Sequence, residues 1–183
     1  MNVLEACAQY DVPMVNIAVG NWWMASPYSI TKNTIERFVE MYTRFRGSQF
    51  TVVRALNAYG PRQVAAAPYG PSRVRKIMPS FICRAIEGLP IEVYGDGEQI
   101  MDMIYVEDVA EILVKALELT DEKGAQPLFE AGTGRETTVN MIAQEVVSNV
   151  PDAVIKHLPM RPGEDEHAVV LGDPDTLEPL GID

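Results

Sequence analysis

A helical stripe that stops at a glycine and passes at once into a strand-forming run is the feature that most constrains this chain. From Tyr28 to Phe45, apolar residues fall at Ile35, Phe38, Val39, Tyr42 and Phe45, the spacing of one helix face. Gly47 supplies the stop. Phe50-Thr51-Val52-Val53 follows and reads as a parallel strand. A helix feeding such a strand is the alternation of an α/β domain with a covered sheet.

The rest of the chain keeps that alternation. Val3 to Tyr10 reads as the end of a helix, and Pro13 to Val19 as a short buried strand. Residues 64–72, rich in Ala, Pro and Gly, read as a loop near a substrate entrance. Pro79 suits the first turn of a helix reaching Glu87, where a missing N–H costs little. Ile91 to Tyr94 reads as a strand, Gly95-Asp96-Gly97 as a turn and Ile104 to Val106 as extended. Asp108 to Leu119 is an amphipathic helix with Val109, Ile112, Leu113, Ala116 and Leu117 on its apolar side and Asp108 as its cap. Leu128 to Ala131 is another strand, and Thr137 or Thr138 caps a helix through Val147. Asp173-Pro174 opens a short helix that Gly181 closes.

Bulk properties narrow the function. A chain of 183 residues, 47% hydrophobic, can bury one ordinary core. A net charge of −11 argues against non-specific nucleic-acid binding, which needs a basic face. Local arginines can still bind an anionic substrate. Cys7, Cys83, His157 and His167 are isolated, with no metal-ligand spacing or disulfide framework. Two free cysteines fit a reducing cytoplasm. No apolar run is long enough to cross a bilayer, so no membrane partner is expected.

Tyr28 and Lys32 stand one helical turn apart, on one face, just after Ser26-Pro27. An ammonium beside a phenol favours the phenolate, and a phenol tuned that way gives and takes a proton near neutral pH. The same spacing also occurs on surface helices where the lysine is merely solvated. The segments behind the pair carry more weight. They are Asn57-Ala58-Tyr59-Gly60-Pro61-Arg62, Tyr94-Gly95-Asp96-Gly97-Glu98-Gln99, Asp102-Met103-Ile104-Tyr105-Val106-Glu107-Asp108, Gly132-Thr133-Gly134 and Arg161-Pro162-Gly163-Glu164. In this order they resemble the extended short-chain dehydrogenase/reductases, specifically the NAD-dependent nucleotide-sugar epimerases and dehydratases, over nearly the whole chain.

The resemblance implies an α/β fold with a partial Rossmann-like parallel sheet and a smaller α/β substrate-binding subdomain. Residues 1–63 would be the later part of the NAD-binding domain. Residues 64–183 would be mainly substrate-binding, with segments returning to the sheet. Tyr28 would be the acid/base, and Lys32 would bind the nicotinamide ribose and lower the Tyr28 pKa. Asn57 would contact the substrate near its phosphates; it also suits an Asx-type turn holding Tyr59-Gly60-Pro61. Arg161 would grip the diphosphate through its fork. The expected partners are NAD, a nucleotide sugar and a second copy of the chain, in a homodimer or other self-association. The expected reaction is that of a UDP-glucose 4-epimerase-like enzyme, with hydride transfer at C4. Alternatives are a non-catalytic nucleotide-sugar or NAD-binding module, an inactive fragment, or a 4,6-dehydratase. No Asp-Glu pair of the dehydratase kind precedes Tyr28, which favours the epimerase.

Three departures stand against full activity. The Gly-x-Gly-x-x-Gly fingerprint that opens a dinucleotide fold is absent, which suggests a fragment or a short protein that completes its sheet with a partner. The strand before Tyr28 ends Ile17-Ala18-Val19-Gly20-Asn21, without the Ser or Thr the family places there; Ser26 and Asn21 are the nearest polar substitutes. Met101 stands where the family has a phosphate-binding arginine, leaving Arg62 or Lys76 as helpers to Arg161. Arg54, within a strand, is expected in a local ion pair. Trp22 and Trp23 suit either a sugar cover or packing under a shortened loop.

Overall fold

A computed structural model describes residues 1–72, 74–162 and 164–182. Its elements are α1 (Asn2–Gln9), β1 (Met14–Val19), α2 (Pro27–Arg46), β2 (Phe50–Ala55), β3 (Asn57–Tyr59), α3 (Ile77–Ile86), β4 (Ile91–Tyr94), β5 (Ile100–Met101) and β6 (Met103–Tyr105). Then come α4 (Val106–Lys123), β7 (Phe129–Ala131), β8 (Thr137–Thr138), α5 (Val139–Asn149), β9 (Ile155–Leu158), β10 (Val169–Val170) and a 3₁₀ helix (Pro174–Leu180). The chain divides into two compact units. One holds Met1–Ala58, Asp102–Arg135 and the residues from Val170 on; the other holds Tyr59–Met101 and Glu136–Val169.

The first unit is built on a parallel sheet in the order β1-β2-β7. Central β2 alternates its side chains between two cores. Phe50 and Val52 meet Leu4, Ala18, Val39 and Tyr42 on the side of α1 and α2. Val53 meets Ile104, Val109, Ile112, Ala116, Phe129, Leu177 and Leu180 on the side of α4. Thr51 shares that second side, where the Thr120 hydroxyl donates to its Oγ1 at 2.8 Å. Burial on both faces explains the near-continuous apolar run that betrays this strand in the sequence. It is the expected Rossmann-like α/β architecture.

Gly47 ends α2 in the left-handed region, φ 69°, and its N–H returns to the Tyr42 carbonyl. Thr138 is the cap of α5, accepting from the Met141 N–H at 3.1 Å, which decides between the two threonines. Asp173 caps the last helix as expected.

Several expectations need correction. β1 is not a buried strand: it lies at the sheet edge among the described residues, and Ile17 is exposed. Phe45 and Leu117 keep the helical period of their helices but stand outside the core. Their positions lie past the stripe that the sheet covers. Val106 is helical rather than extended. Asp108 is not a cap: it sits in the first turn of α4, where its charge complements the helix dipole.

In the second unit, β4 and β9 pair in parallel and β5 pairs with β8 antiparallel. Helices α3 and α5 pack on β4 and on each other, burying Phe81, Ala85, Ile91, Val93, Ile142, Ala143 and Val146. Among the described residues, no helix is long and apolar enough to cross a membrane, and no group of three or more His, Cys, Asp or Glu could hold a metal ion.

Candidate active site at the carboxyl edge of the parallel sheet

Parallel strands deliver their loops to one edge, and ligands of open α/β sheets bind there. In the first unit that edge receives residues 20–26 after β1, Leu56 and Asn57 after β2, and Gly132 to Gly134 after β7. The loop after β1 leads into α2, so Tyr28 and Lys32 stand on its opening turns.

Ser26 is the N-cap of α2. Its Oγ accepts from the Ser29 N–H at 3.1 Å and its hydroxyl donates to Ser29 Oγ at 2.9 Å. Pro27 takes the first helical position, where it needs no acceptor. Ser26 is therefore spent on the helix rather than offered to a substrate oxygen. The Asn21 amide is likewise engaged, donating to Met24 Sδ at 3.4 Å. Neither stands in for the missing Ser or Thr. Ser26→Ala is expected to lower stability by about 1 kcal/mol, read as a shift of the urea midpoint at unchanged slope.

Tyr28 is 59% exposed, with its ring free of the core. Lys32, one turn later, donates from Nζ to the Ile17 carbonyl of β1 at 3.2 Å. That bond fixes the ammonium at the sheet edge, on the face it shares with Tyr28.

Asn57 opens β3 and its backbone N–H donates to the Asp102 carbonyl at 3.0 Å. Its side-chain Nδ2 is buried and meets no acceptor among the described residues. A turn follows at Pro61 and Arg62. A buried donor without an acceptor costs about 1–3 kcal/mol, so Asn57 carries a strained requirement that a ligand oxygen would satisfy.

Asp102 is fully buried and holds the loop after β7. Oδ1 accepts from the Thr133 N–H and hydroxyl, each at 2.8 Å. Oδ2 accepts from the Gly134 N–H at 2.9 Å and the Gly172 N–H at 3.1 Å. A Cβ at Gly132 would stand 2.5 Å from Oδ2, which explains the glycine. The Gly-Thr-Gly segment is thus a turn filled by a carboxylate, not an empty phosphate cradle.

Arg54 forms the expected local ion pair and more. It meets Glu36 of α2 at 2.8 Å and Glu130 of β7 at 3.2 Å, and its guanidinium lies 4.5 Å from the Trp22 ring centre. Burial pulls its pKa down, but the bonds and charges of Glu36 and then Glu130 reverse this and leave it raised. Glu36 escaped notice in the sequence, although it continues the Tyr28–Lys32 spacing by one more turn.

Arg161 belongs to the second unit. There it pairs with Glu164 through Nε at 3.0 Å and Nη2 at 2.8 Å, and stacks on Tyr94 with 4.5 Å to the ring centre. Its fork is half exposed, so a diphosphate would have to displace a surface carboxylate. Gly163 of the same motif lies outside the described residues.

A Tyr–Lys pair one turn apart, set beyond the carboxyl edge of a Rossmann-like sheet, defines an extended short-chain dehydrogenase/reductase. The sequence model of the NAD dependent epimerase/dehydratase family matches residues 18–132, and the chain belongs to that family. It is 32% identical over 160 residues to a trifunctional UDP-glucose 4,6-dehydratase/UDP-4-keto-6-deoxy-D-glucose 3,5-epimerase/UDP-4-keto-L-rhamnose-reductase of Arabidopsis thaliana, covering 85% of this chain and 22% of the relative. It is 35% identical over 157 residues to a putative UDP-glucose 4-epimerase of Methanocaldococcus jannaschii, covering 76% of this chain and 48% of the relative. The UDP-glucose 4-epimerase of Thermus thermophilus, solved in complex with NAD, superposes with a TM-score of 0.76 at 28% identity, over 98% of this chain and 61% of that one. The chain thus spans less than half the length of these curated relatives.

Proposed function

We propose that the chain carries the proton-transfer and substrate-binding part of an NAD-dependent nucleotide-sugar epimerase of the UDP-glucose 4-epimerase kind. The exposed Tyr28 phenol on the same face as the tethered Lys32 carries this reading. Tyr28 would take the proton from the sugar hydroxyl as that carbon is oxidised and return it to the same oxygen when the carbon is reduced from its opposite face. NAD, when bound, supplies a reversible acceptor for the hydride at that carbon. Lys32 fits the nicotinamide ribose: an ammonium has three donors, and the Ile17 carbonyl takes one. Asn57 would donate its unmet N–H to the substrate beside its phosphates, and Arg161 would bind the diphosphate after releasing Glu164. A cytoplasmic, self-associating protein fits this reading, with Val3 of α1, Tyr10 just beyond it, and Ile30 and Phe45 of α2 offering exposed apolar surface.

A second reading, a nucleotide-sugar-binding module without turnover, is favoured by the commitment of Ser26 to helix capping and of Asn21 to Met24. Calorimetric titration of the folded protein with NAD and with UDP-glucose tests both. Binding of UDP-glucose is expected, weakened about tenfold in Asn57→Ala, the change for one buried hydrogen bond. A folded sample that binds neither compound defeats both readings. Binding without epimerisation in the presence of NAD selects the module.

A further inference from the structure

The row that begins with Tyr28 and Lys32 ends on a carboxylate that proton transfer does not use. Glu36 stands one turn beyond Lys32, so the three side chains follow one stripe of α2. Its side chain is only 9% exposed and meets Arg54 with both oxygens. Arg54 Nε donates to each at 3.2 Å and Nη2 to Oε2 at 2.8 Å. Arg54 is itself held on two further sides, by Glu130 of β7 and by the face of Trp22 in the loop entering α2.

The buried residues of α2 are Ser29, Glu36, Val39 and Tyr42. The apolar anchors Val39 and Tyr42 lie in its second half, whereas Tyr28 and Lys32 lie in the first. Apolar contact is non-directional and tolerates a small roll of the helix. A planar guanidinium fork on a carboxylate does not, because both oxygens must stay in its plane. Desolvation offsets much of the net stability of a buried ion pair, so its contribution here is chiefly geometric.

We propose that the Glu36–Arg54 fork fixes the rotation of α2 about its axis and thereby aims Tyr28 and Lys32 at the carboxyl edge of the sheet. Glu36 and Arg54 are then positioning residues. The role rests on the Tyr28–Lys32 reading of the site, but a test that measures neither turnover nor ligand binding separates the two.

That test is trace acetylation of the native protein, with the rate at each lysine read by mass spectrometry. The observable is the rate at Lys32 divided by that at Lys123, which lies on α4. In Glu36→Ala, Arg54 keeps Glu130 as a partner, so the fold is retained. There the ratio is expected to rise about fivefold, the population change on losing one hydrogen bond, here that of Nζ to Ile17. Glu36→Gln keeps one oxygen for Arg54 but sets an NH₂ against its guanidinium, and is expected to fall between Glu36→Ala and the unchanged protein. Arg54→Lys keeps the charge and loses the fork, and should behave like Glu36→Ala. An unchanged ratio in a folded Glu36→Ala protein overturns the proposal. So does an equal rise at every lysine, which would show general loosening.

Discussion

Asp102→Ala is expected to remove about 3–5 kcal/mol of stability, much of what a domain of this size has. The carboxylate is fully buried and serves three backbone N–H groups and one hydroxyl. Alanine would leave those donors facing a small cavity. Each unmet backbone donor costs on the order of 1–3 kcal/mol, less whatever water recovers by entering. Asp102→Asn should fall between alanine and wild type, because one oxygen still accepts while the new NH₂ opposes a backbone N–H. Urea unfolding followed by circular dichroism measures all three proteins. A loss below about 1 kcal/mol for alanine would mean that the loop after β7 does not depend on this carboxylate.

Under the proposed epimerase reading, Tyr28→Phe is expected to lower turnover about 10²–10⁴-fold, the usual contribution of a positioned acid/base. The ring is exposed and caps no helix, so the substitution removes the phenolic oxygen and little else. Affinity for NAD and for UDP-glucose should stay within about threefold, and stability within about 0.5 kcal/mol. Turnover assays paired with calorimetry on the same preparations decide the matter. Equal losses of turnover and affinity would make Tyr28 a binding residue instead. Turnover that survives in Tyr28→Phe would pass the proton to another group.

The elements were legible in the sequence where their signals are local. Ser26-Pro27 and Gly47 bracket α2 because cap and stop act within one turn. The β2 run declared itself because both of its faces are buried. Legibility failed where a signal has two meanings. An acid at a helix start reads alike as cap and as first-turn residue, which is why Asp108 was misplaced. Period alone does not say how far a covering sheet extends, so Phe45 and Leu117 share their helices' apolar spacing yet stand outside the core.

The Tyr28–Lys32 pair was legible from spacing, but its supports were not. Arg54 finds Glu36 and Glu130 at separations of 18 and 76 residues. Asp102 finds its partners 31, 32 and 70 residues away. No local pattern predicts such pairings, because the topology of the sheet creates them. Asn57 shows the same limit: its side-chain Nδ2 is buried and meets no acceptor among the described residues, which no local pattern announces.

The way the chain threads its two units governs the order in which it can be made. The core around Val53 includes Ile104, Phe129, Leu177 and Leu180. A ribosome delivers β1 and β2 early, then the first long stretch of the other unit, and only much later the leucines that close this core. Until Leu180 has left the exit tunnel, Val53 and Phe129 have an unfinished wall beside them. Completion of this core therefore waits for Leu177 and Leu180, and until they emerge the nascent chain shows chaperones a half-built apolar face.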